Sequence, residues 1–294
     1  MKKRLISVGA VCALTVLLLV VALVSCEKAV FDVNDTAGDK DGNLRVSVYQ
    51  IEQTSFASLT RAAASEACTR LNFLIYNLDG SRVKAVNQVS SDKNFGQCSF
   101  QLDEGDYVLV VVGHSANGNP TSTNPQKISF TNAQGYTDTF LSSGDITVGD
   151  EPLEIDVTLE RIVALCRFVL TDDYPAGVAK MQFYYTGGSG AFDAYTGLGS
   201  VNSKQTVTFD VSDGQKQFDL YTFLHDVSDN IALKVTALDA DGNELFVREF
   251  DVPMEQNHIT WLTGAFFNGT GSSSTTVTGV TVDTDWAGET HLTF

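Results

Sequence analysis

Histidines, acidic clusters, glycine-flanked serines and exposed aromatics are the groups through which this chain could do chemistry, and for most of them the spacing supplies no task. His114, His225, His258 and His291 fall outside HExxH, HxH or any close pair able to grip a metal ion, so structural or surface roles are expected of them. Asp239-Ala240-Asp241-Gly242-Asn243-Glu244 looks like half a calcium loop, but its sixth place is not glycine and its twelfth is not glutamate. A hairpin turn accounts for it. Residues 186–200 (TGGSGAFDAYTGLGS) lack the Gly-Lys-Ser/Thr of a phosphate loop and no helix follows, which leaves a long inter-strand loop. Tyr184, Tyr185, Phe192 and Tyr195, with Trp286, would make a sugar-stacking platform if exposed, whereas aromatics of a β-sandwich usually belong to its core. No Gly-x-Ser-x-Gly and no acid/base pair supports catalysis, so no enzyme, cofactor or metal is expected.

Cys26 is different, because its neighbours give it work. Lys2, Lys3 and Arg4 provide a cationic start, an apolar run occupies residues 5–24, and the small Ser25 precedes the thiol, which is the order of a secretory signal. A run of about 20 apolar residues is also long enough to cross a bilayer. The Leu23-Val24-Ser25-Cys26 ending decides between the two, since it resembles a bacterial lipobox, in which the cysteine is acylated and becomes the new amino terminus. Several acyl chains, each burying about 0.8 kcal/mol per methylene, then anchor the protein stably without a membrane-spanning segment.

The elements behind these groups follow from composition and periodicity. With 19 Lys+Arg against 36 Asp+Glu the net charge is −17, and loss of the leader removes three further cations. This argues against nucleic acid and against charge-driven adhesion to anionic lipid. A 43% hydrophobic content with 18 Phe and 9 Tyr is ample for packed cores. Of the five cysteines, Cys12 leaves with the leader, and Cys68, Cys98 and Cys166 remain as an odd set. Cys68 and Cys98 could pair if their strands are neighbours, yet a chain of this length needs no disulfide framework, and buried thiols satisfy the same positions.

Residues 27–43 are polar, with Asp and Gly, and read as a tether. Residues 44–51 alternate, with Leu44, Val46 and Val48 on one face. Residues 54–70 are a helix candidate capped at Thr60, or else an exposed loop. From Leu71 onward the pattern is β: a hairpin about Asp79-Gly80, an apolar run at 107–112 that predicts a central strand buried on both faces, and an alternating strand at 153–159. A second series of strands follows, separated by Asp213-Gly214, Asp241-Gly242-Asn243 and Ala287-Gly288. The expected fold is all-β, two tandem antiparallel β-sandwiches, with a signal peptide at 1–25, a lipidated tether at 26–43, an N-terminal sandwich at 44–158 and a C-terminal one at 159–294.

Several short segments, in their order, resemble the fimbrillin-associated lipoproteins of Bacteroidetes, the FimB/Mfa2 family of minor fimbrial subunits and anchors. They are the lipobox at Cys26, Thr60-Arg61-Ala62, residues 71–77 with Asp79-Gly80, Glu104-Gly105-Asp106-Tyr107, residues 159–164 (LERIVA) with Thr171-Asp172, Leu262 to Phe266 and the Trp286 tail. The resemblance implies transthyretin-like sandwiches, an outer-membrane location facing the exterior, and a structural role beside fimbrial shaft or accessory subunits that assemble by donating strands. It also implies a possible cut by a trypsin-like protease between Arg61 and Ala62; an uncut chain stays an anchor through Cys26. The reading of another class is a glycan-binding surface lipoprotein.

Overall fold

The computed structural model describes residue 39 and residues 42–51, 67–131, 135–268, 276–281 and 286–294. Cys26, Arg61, Ala62 and nearly all of the helix candidate lie outside them; Arg70, its last residue, already opens a strand. The compact unit Thr36–Phe294 contains every described residue. Its first half carries β1 (Leu44–Ile51), β2 (Arg70–Asn77), β3 (Arg82–Val89), β4 (Gln97–Phe100), β5 (Gly105–His114), β6 (Ile128–Ser129), β7 (Thr139–Val148) and β8 (Leu153–Arg161). The second carries β9 (Ala164–Leu170), β10 (Lys180–Thr186), β11 (Ala191–Phe192), β12 (Gln205–Asp210), β13 (Gln217–Thr222), β14 (Ser228–Leu238), β15 (Glu244–Glu255), β16 (His258–Gly264), β17 (Thr276–Thr281) and β18 (Gly288–Thr293).

The first half is one seven-stranded sheet, β3-β2-β5-β7-β8-β1-β4. Strands β7 and β8 pair only at Phe140↔Arg161 and Leu141↔Glu160, so the sheet parts there and its two wings face each other across a common core. The β2–β3 hairpin turns where expected: Gly80 takes φ 84, open to glycine without a Cβ penalty, and the Asp79 carboxylate accepts the Ser81 N–H at 2.9 Å. Residues 107–112 of β5 are apolar without interruption because the strand is covered twice. Leu109 and Val111 point into the core between the wings, while Val108, Val110 and Val112 face a second cluster shared with the other half.

The second half packs a four-stranded sheet, β12-β10-β14-β15, against a five-stranded one, β13-β9-β16-β18-β17. Phenylalanines fill the space between them, with the Phe168 ring 5.3 Å from that of Phe183, edge on, and 5.3 Å from that of Phe294, stacked. The two halves meet in a third cluster in which Leu74, Tyr76 and Val110 contact the region of Leu165, Phe223 and Ile259. Each wholly buried side chain of this size is worth about 1.5–3 kcal/mol, so this seam holds the halves as one body.

Three observations amend the expectations. The sheets are antiparallel except at β1–β8, β9–β16 and β16–β18, which are parallel. Parallel pairing needs long crossovers, and none of these partners is adjacent in sequence. Strand β7 continues through residues 142–145 (SSGD), which carry no apolar side chain, because pairing with β5 along its whole length supplies what composition lacks. The glycine-rich segment is also more than a loop, since Ala191 and Phe192 form β11 against β6 of the first half.

Candidate functional site

Strand β1, the first among the described residues, is the element whose arrangement points to a task. It is inserted between β8, which it meets in parallel from Leu44↔Leu153 to Ile51↔Leu159, and β4, which it meets antiparallel from Leu44↔Phe100 to Ser47↔Gln97. The alternation read from the sequence is realised: Leu44, Val46, Val48 and Ile51 are buried in the first core, and Arg45 faces out to Glu154 at 3.0 Å. A register shift between Val48 and Gln50 leaves Tyr49 exposed and brings Ile51 back to the core.

The approach to β1 is bolted down as well. The Asn43 side chain donates to the Leu102 carbonyl and accepts the Leu102 N–H, both at 2.9 Å, mimicking one more rung of the ladder. Asp39 accepts Lys84 Nζ and the Gln101 N–H, each at 2.7 Å; the Lys84 bond, then the Gln101 bond, hold its carboxyl below the usual range. A Cβ on Gly42 would lie 2.4 Å from the Phe100 carbonyl oxygen, so only glycine fits that crossing. Withdrawal of β1 would therefore leave β8 and β4 facing each other across a slot one strand wide, with unpaired backbone groups on both walls and a floor of apolar side chains. Such a slot takes an extended chain by backbone pairing, its alternate side chains setting specificity.

Among the described residues, the resembling segments around Arg161, Asp172, Phe266 and Trp286 are joints. Arg161, buried between the halves, forms a two-pronged pair with Asp138 at 2.8 and 2.9 Å and donates to Asn257 Oδ1 at 3.2 Å. Its guanidinium lies 4.0 Å from the centre of the Trp286 ring and 4.9 Å from that of Phe140. Burial raises the Asp138 carboxyl, and Arg161 opposes that rise. Asn257 holds φ 58, the left-handed region asparagine tolerates, while its N–H reaches the Val163 carbonyl at 2.9 Å. Asp172 accepts the N–H groups of Phe266, Phe267 and Asn268 at 3.0, 2.7 and 2.9 Å, tying Thr171-Asp172 to the end of β16.

The five aromatics proposed as a platform are not brought together. Tyr185, Phe192 and Trp286 are buried in two different clusters, Tyr184 is half-buried on the outer face of β10, and Tyr195 is exposed elsewhere. The reason is alternation and docking: Tyr185 points inward where Tyr184 points out, and β11 carries Phe192 into the seam. Residues 239–243 form the β14–β15 turn, with Asp239 Oδ1 accepting the N–H groups of Asp241 and Asn243. Among the described residues no group of three His, Cys, Asp or Glu converges as a metal site. Cys68, Cys98 and Cys166 are buried thiols, each pushed up to about 12 by burial. His114, which spacing alone left unassigned, is wholly buried: its Nε2 meets Asn72 Oδ1 at 2.9 Å and its Nδ1 accepts the Ala116 N–H at 3.2 Å.

Comparison with solved structures finds a candidate adhesin from Bacteroides ovatus (15% identity, 70% of this chain and 82% of that one, TM-score 0.49). It also finds a fimbrial assembly protein from Parabacteroides distasonis (14%, 76% and 89%, 0.37) and the fimbrial anchor protein Mfa2 from Porphyromonas gingivalis (14%, 70% and 80%, 0.40). No curated protein matches the chain. A family model does match residues 36–293, from just before β1 to the end of β18, and the chain belongs to that family, a family of unknown function (DUF6562).

Proposed function

We propose that the protein is a lipid-anchored structural component of a cell-surface fimbria, held to the outer membrane through Cys26 and joined to shaft or accessory subunits by strand pairing. The observation that carries the reading is the position of β1. It is the first strand among the described residues, it fills an interior place of the sheet, and the residues that follow it include Arg61-Ala62. Further support comes from the resembling segments themselves: Arg161 meets Asn257 and Trp286 across the seam between the halves, and Asp172 ties two strand ends within the second, so both serve packing rather than a reactive centre. Within this reading the anchor form keeps β1. Asn43, Asp39 and the two ladders fix that strand, and a chain cut after Arg61 keeps no covalent link to the acylated cysteine.

The test is the amino terminus of protein recovered from cells, read by mass spectrometry. An acylated start at Cys26 is expected, with acylation lost in Cys26→Ser. A start at Ala62 overturns the anchor assignment, and failure of any fimbrial subunit to co-purify in gentle membrane extracts overturns the fimbrial one.

A further inference from the structure

The turn that displays Tyr195 bears on none of the strand-assembly argument, yet it is built with care. Phe192 and Ala194, buried, anchor it in the seam between the halves. The Ala194 N–H reaches the Pro125 carbonyl at 2.8 Å, and Asp193 closes the turn by accepting the Tyr195 N–H on its carboxylate and the Gly197 N–H on its carbonyl, both at 2.8 Å. This rigid frame holds a tyrosine that is 46% exposed. A large aromatic kept half in water on a fixed turn loses little freedom when it meets a ligand.

Tyr195 lines two depressions. The first, about 560 Å³, lies between Tyr195 and the β2–β3 turn and is edged by Leu78, Asp79, Asn124 and Gln126. The second, about 380 Å³, lies between Tyr195 and the diverging strands β7 and β8, edged by Ser142, Ser143, Thr158, Glu160 and Thr196. Both fall in the range of about 300–1,000 Å³ usual for small-ligand sites, and both are composite: apart from Tyr195 the first is walled by the first half, and the second is walled by both halves. Leu78, 62% exposed, supplies an apolar surface across from the ring. The other polar groups of the lining are hydroxyls, carboxamides, carboxylates and the Arg161 guanidinium, and Pro125, Leu141 and Ile162 add apolar area.

We propose that Tyr195 is the central ridge of an oligosaccharide-binding surface for neutral glycans. The apolar face of a pyranose stacks on the phenol ring, and sugar hydroxyls donate to Asp79 and Glu160 and exchange hydrogen bonds with Asn124, Gln126, Ser143 and Thr158. The two depressions take successive residues of one chain. Charge sets the class: the exposed ionisable groups of the rim are Asp79 and Glu160, and Arg161 beneath is already paired with Asp138. Sulfated, sialylated and uronate glycans are therefore repelled.

The experiment probes an array of neutral and anionic oligosaccharides with the detergent-solubilised full-length protein, followed by titration with the best neutral hexasaccharide. Neutral glycans are expected to bind, Tyr195→Ala to weaken binding at least tenfold with an unchanged melting curve, and Tyr195→Trp to retain it. Leu78→Ser should weaken it less, through one depression only. Absence of binding to every neutral glycan, preference for anionic ones, or a Tyr195→Ala affinity within twofold of the parent overturns the proposal. None of these results bears on the amino terminus or on subunit co-purification, so the fimbrial reading stands or falls separately.

Discussion

Replacing Arg161 by methionine keeps much of the side chain's length and apolar stem and removes only its charge. The Asp138 carboxylate, with 23% of its side chain exposed, then loses both prongs of its pair, and Trp286 loses the cation stacked 4.0 Å from its ring centre. Breaking a buried ion pair from one side costs about 3–5 kcal/mol, because the remaining charge is left uncompensated. Against a total stability of about 5–15 kcal/mol, that is a large fraction. Removing both partners costs far less: Asp138→Leu with Arg161→Met should recover most of the loss, since an apolar pair of similar volume pays no desolvation. Urea titration followed by tryptophan fluorescence is suited to the measurement, as the chain has two tryptophans and Trp286 lies at the site. The deficit of Arg161→Met should also shrink as pH falls toward about 4. Burial already raises Asp138, loss of Arg161 raises it further, and protonation relieves the unpaired charge. A single variant within 1 kcal/mol of the parent, or a double variant no better than the single, would refute the idea that this buried pair stabilises the seam.

Three other outcomes are expected. His114 is held down to about 3, mainly by burial and then by Arg70, against about 6.5 when unfolded, so the unfolded chain binds the extra proton between those values. Its stabilising effect is complete above pH 6.5 and is lost on acidification at up to about 1.4 kcal/mol per pH unit; a urea series from pH 7.5 to 5 should show a shallower pH slope in His114→Gln, and parallel slopes would contradict this. Asp172→Ala strands the N–H groups of Phe266 and Phe267 and should cost about 1–3 kcal/mol, seen as a fall of several degrees in Tm; no fall would mean water replaces the carboxylate fully. Cys68, Cys98 and Cys166, raised to about 12, should resist iodoacetamide at pH 8 until urea unfolds the chain, and rapid native labelling of any of them by mass spectrometry would contradict their burial.

Much of the strand pattern is local and was legible in residue order. The alternation of Leu44, Val46 and Val48, the Asp79-Gly80 turn and the unbroken apolar run of β5 each announce burial on one face or two, because side chains in a strand repeat every two residues and a turn needs its own residue types. Which strands become neighbours was not legible. Nothing near Leu44 says that its partners are Leu153 and Phe100, and nothing in residues 142–145 says that they extend a strand; those outcomes depend on pairing across long separations. The same limit governs the sites. Arg161 reads locally as a charge in a strand, and only the convergence of Asp138, Asn257 and Trp286 makes it the buried pin between halves. The sequence singled out Tyr195 among five aromatics by type alone. Tertiary structure buried three of them, turned Tyr184 to another face and left Tyr195 exposed on the lining of two depressions, because exposure belongs to the packed whole and not to any residue's neighbours in the chain.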